Sequence, residues 1–235
     1  MADTTDSIPG RINPIAARSR RRDFFELAVA YALILLVIWS PRPWQKLLWW
    51  VAAAAIAAIA STSFEGFQAM GLRRKNFLRS LWAVGGALLA AAVAVALAVM
   101  LHTLRLPGSP ILFIKTYAGY AIWAFVQQFL LQCFFLSRLL RLLPNAKLAA
   151  AVAAVIFGAA HLPNPILMPV TLLWGLASCL LFLRYRNLYA LAMAHAILGI
   201  TIAITVPGPV DHNMRVGLGY LTYAHAHRTA TSPQP

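Results

Sequence analysis

Ala124-Phe125-Val126-Gln127-Gln128-Phe129-Leu130-Leu131-Gln132 decides the fold, because it sets three amides inside an apolar run reaching from about 114 to 137. A helix needs roughly 20 apolar residues to cross a bilayer core of roughly 30 Å, and this run is long enough. Polar side chains are costly in hydrocarbon, so they turn toward a bundle interior, where they bridge helices or mark a site. On a helix Gln128 and Gln132 share a face, with Gln127 turned about 100° away.

Working outward, comparable apolar runs fall near 24–40, 45–61, 80–102, 148–162, 167–183 and 188–206, making about seven spans. The second, fifth and sixth are shorter than ideal. Of the 235 residues, 61% are hydrophobic, and no alternating strand pattern is present. Only helices and closed barrels satisfy their backbone groups in lipid. The expected fold is all-α, a polytopic transmembrane helical bundle.

The net charge of +14 could suggest a nucleic-acid partner, but its distribution excludes one, since the basic residues gather at helix ends rather than on one soluble face. Arg18, Arg20, Arg21 and Arg22 precede the first span. Arg73, Arg74, Lys75 and Arg79 follow the second, Arg138, Arg141 and Lys147 the fourth, and Arg184 and Arg186 the sixth. The alternate loops carry less: Arg42 and Lys46 in one, Arg105 and Lys115 around another. The positive-inside bias then puts the N-terminus in the cytoplasm, and these charges read as topology determinants touching anionic lipid.

The divisions follow: a basic cytoplasmic tail (1–23), two N-terminal spans (24–61), an interfacial segment (62–79), a membrane core (80–206) and a polar C-terminal tail (207–235). No removable signal peptide is read in the first tail, which lacks a short apolar core before a small-residue cleavage site. In the interfacial segment Phe64, Phe67, Met70 and Leu72 alternate with Glu65, Gln68 and the basic cluster, which suggests a short amphipathic helix on the membrane surface. Cys133 and Cys179 lie within spans and read as packing residues. His212, His225 and His227 in the second tail read as solvated histidines.

Two further polar stations accompany the glutamines. The fifth span ends Phe157-Gly158-Ala159-Ala160-His161-Leu162-Pro163-Asn164-Pro165, where the prolines stop or kink the helix just past the histidine. The seventh carries Ala192-Met193-Ala194-His195-Ala196-Ile197-Leu198-Gly199, with small residues around His195 that suit close packing. The fourth span runs opposite to the fifth and seventh, so one polar pocket built by three helices is allowed.

From about residue 70 to 206 these stations resemble the CPBP family, the CAAX-processing and bacteriocin-immunity (Abi) intramembrane endopeptidases. The Met70-Gly71-Leu72-Arg73-Arg74 lead-in resembles the family's approach to its core. The family's Glu-Glu pair, followed four residues later by Arg, falls on Gln127, Gln128 and Gln132. Its Phe-x-x-x-His motif is matched by Phe157 and His161. Its His-x-x-x-Asn motif is matched by His195, with Gly199 at the last position.

The resemblance implies peptide hydrolysis within the membrane, with membrane lipid and a membrane-embedded or lipidated peptide as partners. It implies a multi-pass protein of a bacterial cytoplasmic membrane. His161, His195, Gln127, Gln128 and Gln132 would form the site, supported by Phe157, Asn164 and Gly199. Peptide hydrolysis needs a base for water and placed donors for the developing oxyanion. Glutamine cannot be that base, and losing one typically costs about 10²–10⁴ in rate. It also carries no charge to hold a cation, and two neutral histidines alone make a poor metal site, so no cofactor is expected and a metal, though open, is unsupported by the ligand set. Replacing Arg by Gln132 is consistent, since a buried guanidinium without a glutamate would be uncompensated. Two classes follow: an endopeptidase using a histidine as base or borrowing Asp211, or a non-catalytic relative that binds membrane peptides as a chaperone, immunity or assembly factor.

Overall fold

The computed structural model describes residues 14–62, 66–68 and 70–223, with side chains from Arg20 onward. Every regular element among them is helical. The chain runs through α1 (Pro14–Ile38), α2 (Arg42–Ser61), α3 (Phe77–Met100) and α4 (Pro110–Phe129). A π-helical turn, Leu130–Leu136, joins α4 without a break to α5 (Ser137–Leu142). Then come α6 (Ala146–Ala159), α7 (Leu167–Tyr185), α8 (Leu188–Thr205) and the short α9 (Gly208–Asp211) and α10 (Gly217–Leu221).

Local chemistry sets the boundaries. Ser109 caps α4 by accepting the Leu112 N–H at 3.2 Å, and Pro110 opens the helix where its missing N–H costs nothing. Asn145 caps α6 through the Leu148 N–H at 2.8 Å, and Asn187 caps α8 through the Ala190 N–H at 3.2 Å. The most extensive pairings are α6 with α7, α3 with α8 and α4 with α8. Between α6 and α7 the approach is close: a Cβ on Gly175 would lie 3.2 Å from the Ala154 Cα, so either helix would have to give way to a larger residue. Small residues supply packing contact here, because lipid tails leave little hydrophobic drive between helices.

Five helical stretches are long and apolar enough to cross a membrane: α2, α3, the unbroken Pro110–Leu142 unit, α7 and α8. Expected spans one and five fall short of that standard for different reasons. Helix α6 has 14 residues, and the N-terminal part of α1 carries Arg20, Arg21, Arg22, Asp23 and Glu26.

Those charges meet basic residues that follow the fourth span. Arg138 and Arg141 are ion-paired within the bundle. Arg138 is 2% exposed and donates through Nε and Nη2 to Glu26 Oε2 at 2.9 and 2.6 Å, with its guanidinium 3.7 Å over the Phe134 ring. Arg141 grips Asp23 with two bonds of 2.8 and 2.7 Å, and Arg22 shares Glu26 at 2.6 Å. Ion pairs thus fix α1 to α5 where the hydrophobic effect contributes little.

Three divisions also change. Helix α1 begins at Pro14, so residues 14–23 are not tail; residues 1–13 lie outside the described chain. The described part of 62–76 forms turns rather than an interfacial helix, because its backbone is already committed. The Gly71 carbonyl accepts from Leu188 N at 3.0 Å, and Asn187 Nδ2 donates to the Arg73 carbonyl at 2.7 Å. Phe64 and Glu65 lie outside the described residues. Residues 207–223 are folded, not a polar tail: Gly217 N–H bonds the Leu162 carbonyl at 2.8 Å, and His212 stacks on Tyr220 and Tyr223 at 4.0 and 4.7 Å. His225 and His227 lie outside the described chain. The cysteines are free, as read; Cys179 is buried and Cys133 bonds the Met70 carbonyl.

The two ion pairs differ in burial, which orders their contributions. Glu26→Gln leaves the buried Arg138 guanidinium without its carboxylate and is expected to cost about 3 kcal/mol. Asp23→Asn acts on the partly exposed Arg141 and is expected to cost about 1 kcal/mol or less. Thermal unfolding of the purified variants in one detergent checks the order, and equal midpoints would contradict it.

Candidate functional site

Between α1, α4, α6, α7, α8 and the segment after α8 lies a cavity of about 690 Å³. Its walls are mainly apolar and aromatic, among them Tyr31, Ile34, Phe135, Ile156 and Phe157. Polar groups enter at few points: Gln127 and Tyr120 from α4, His161 past the end of α6, Trp174 from α7 and His195 from α8. The exposed Arg105 and Asn213 stand at one rim. Such a shape, apolar with a few convergent polar groups, is what a ligand site requires.

The glutamines divide into two roles. Gln127 lines the cavity, half-buried. Gln128 and Gln132 are fully buried behind it and line nothing. Gln132 Nε2 donates to Gln128 Oε1 at 3.1 Å and to Ser178 Oγ at 3.1 Å, while Ser178 passes its own hydrogen to the Gly175 carbonyl at 3.1 Å. Gln128 Nε2 in turn bonds His195 Nδ1 at 3.2 Å. Buried amides in hydrocarbon need such partners. Gln132 sits in the π-helical turn, a distortion common at functional sites.

The orientation of the Gln128 amide sets the tautomer. With its nitrogen turned to His195, Nδ1 is the acceptor and a neutral His195 carries its proton on Nε2, while Gln132 Oε1 is left without a partner among the described residues. His161 is fixed the opposite way. Its Nδ1 lies 2.8 Å from the Phe157 carbonyl, which can only accept, so Nδ1 holds the hydrogen and Nε2 keeps a lone pair. Phe157 also packs edge-on to both rings, with centroids 5.1 Å from His161 and 5.8 Å from His195. The two histidines therefore present unlike groups: a donor from His195 and an acceptor from His161.

At the last motif position, Gly199 is occupied from outside. A Cβ there would collide with the Tyr120 hydroxyl, so the tyrosine of α4 fills the space a side chain at 199 would take. Asn164, by contrast, is not part of the cavity wall, which corrects its expected supporting role. It is fully buried and ties backbone to backbone: Nδ2 donates to the Asp211 and Arg215 carbonyls at 2.8 and 3.0 Å, and Oδ1 accepts from Ile166 and Leu167 N–H. Its position after Pro163 makes it the clamp for the folded C-terminal segment.

Asp211 borders the same cavity, but it is fully buried rather than turned freely into it. Oδ1 accepts the Asn213 N–H at 2.9 Å, and Oδ2 has no hydrogen-bond partner among the described residues. Burial raises its carboxyl above the ordinary aspartate range, against the opposing pull of backbone N–H groups and Arg105. Arg105 itself is held by the carbonyls of Ala203 and Val206, so it is a clamp on the end of α8 as well as a loop charge.

Sequence reasoning passed over Tyr120, Trp174 and Ser178. A signal existed for each: Tyr120 stands two turns before Gln128, and Thr171, Trp174 and Ser178 form one helical stripe on α7. Among the described residues no three of His, Cys, Asp and Glu converge.

A helical bundle of long apolar spans with this pocket is an integral membrane architecture. Residues 109–201 match the type II CAAX prenyl endopeptidase Rce1-like family model, which supports assigning this part of the chain to the CPBP family. The match spans α4 through most of α8, the helices that carry all three motifs. No curated protein and no solved structure matches the chain.

The contact between Tyr120 and Gly199 makes the two positions interdependent. Gly199→Asn must displace Tyr120 and is expected to lose about 1–3 kcal/mol of stability. In a chain that also carries Tyr120→Ala, the same change should cost at least about 1 kcal/mol less. A double-mutant cycle on unfolding midpoints measures that coupling, and additive effects would contradict the packing described.

Proposed function

We propose that this CAAX-type family protein takes membrane-associated or lipidated peptides into the cavity and binds them without the family's glutamate-driven hydrolysis. One observation carries the reading: of the three positions aligned with the family's charged residues, Gln128 and Gln132 form a neutral hydrogen-bond chain with His195 and Ser178 in which only Gln132 Oε1 lacks a partner among the described residues, and Gln127 faces the cavity as a neutral amide. A glutamine amide has no proton-accepting capacity at useful pH, whereas it hydrogen-bonds a peptide well in both directions. The apolar walls would take a lipid or an apolar side chain, and Gln127, His161 and His195 would meet the backbone.

A second reading is hydrolysis with His161 as base, favoured by the lone pair that its Nδ1–H bond to Phe157 leaves on Nε2. Histidine titrates near neutrality when unperturbed, which suits a base.

Proteoliposomes containing the purified protein separate the two. A palmitoylated, fluorophore-labelled peptide pool should be bound but left intact, and His195→Ala should weaken binding about tenfold, the loss of roughly one buried hydrogen bond. Cleavage by the wild type that His161→Ala abolishes would overturn the binding reading in favour of the second.

A further inference from the structure

His195 and His161 line one cavity with opposite hydrogen-bonding faces. Each ring is met from behind by one atom. The Gln128 amide turns its nitrogen, a donor, to His195 Nδ1 at 3.2 Å, and the Phe157 carbonyl can only accept from His161 Nδ1, at 2.8 Å. The remaining nitrogen of each ring bonds no described residue, and both residues belong to the cavity wall. What is left facing the cavity is one N–H and one lone pair.

A group that satisfies both must offer an acceptor and a donor together and must be neutral. A secondary amide does so, with its C=O for the His195 N–H and its N–H for the His161 lone pair. An ester or a tertiary amide offers only the acceptor. A carboxylate has no hydrogen to give, and it would bring an uncompensated charge into a site whose fixed partners, Gln127, Gln128 and Gln132, are uncharged. From this donor–acceptor pair we infer that the site selects an N–H-bearing amide over carboxylates, esters and tertiary amides. Gln128 is the positioning residue that sets the selection. The inference rests on the peptide-binding reading and names the chemical group that reading leaves open.

The role of Gln128 follows from what a glutamate would do in its place. A carboxylate only accepts, so His195 Nδ1 would have to donate to it, which in a neutral ring moves the hydrogen away from Nε2. Both histidines would then present lone pairs, and recognition of a carbonyl would be lost. One atom in one buried side chain thereby decides which ligand group the cavity accepts.

Four amphiphiles with the same 16-carbon acyl chain test this in nanodiscs holding the full-length protein. They are N-methylpalmitamide, N,N-dimethylpalmitamide, methyl palmitate and palmitate. Binding is read by displacement of a brominated fatty amide that quenches tryptophan fluorescence, Trp174 being part of the wall. The secondary amide is expected to bind about tenfold more tightly than each of the other three, the weight of one buried hydrogen bond. In Gln128→Glu the advantage of the secondary amide over methyl palmitate should fall below about twofold.

Wild-type binding of the secondary and tertiary amides with equal affinity would overturn the inference, and so would an unchanged preference in Gln128→Glu. Should that variant fail to fold, His161→Phe serves instead, and it must erase the difference between secondary and tertiary amides. If all four ligands displace the probe equally, the cavity-binding reading stands and this inference falls. If neither the brominated amide nor any of the four binds, both fall.

Discussion

The hydrogen bond from the Gln128 amide to His195 is the contact on which the site depends. It orients the ring, determines which nitrogen carries the proton, and draws its own alignment from Gln132, which Ser178 anchors in turn. Every member is neutral. In a medium that penalises isolated charge, a neutral chain can sit fully buried without a counter-ion. The price is the loss of any strong base at these positions.

The same constraint explains where charge is kept. Arg138 lies six residues beyond Gln132 and is also buried, yet it has Glu26 and a π face to compensate it. Asp23 and Glu26, two of only six acidic residues, are both committed to arginines at that end of the bundle. The ion pairs are thus gathered at one end, while the polar groups beside the cavity are amides and imidazoles. Asp211, near the opposite end, is the exception, and burial shifts it toward its neutral form.

Much of this was legible in the chain, for identifiable reasons. Long apolar runs announced the helices, and the costliness of amides in hydrocarbon singled out Gln127, Gln128 and Gln132. Helical spacing paired Gln128 with Gln132, and that bond is present. Three things were less legible. Asp23 and Glu26 are held by Arg141 and Arg138, more than a hundred positions away, which no local pattern in the basic run before the first span shows. The fold of 207–223 depends on Asn164 and the Leu162 carbonyl, which no local pattern shows. Tyr120 over Gly199 is a contact between helices whose register a single sequence does not fix. Asn164 was singled out for its place beside the histidine, but its four bonds belong to backbone.

The central claim is that a glutamine, not a glutamate, sets the state of His195, and the imidazole nitrogens report it directly. Nitrogen-15 spectra of histidine-labelled protein in nanodiscs, with the His195 signals assigned by loss in His195→Ala, distinguish a protonated from a bare ring nitrogen. The account predicts a protonated Nε2 and a bare Nδ1 in the wild type, reversed in Gln128→Glu. A bare Nε2 in the wild type, or the same tautomer in both proteins, would contradict it.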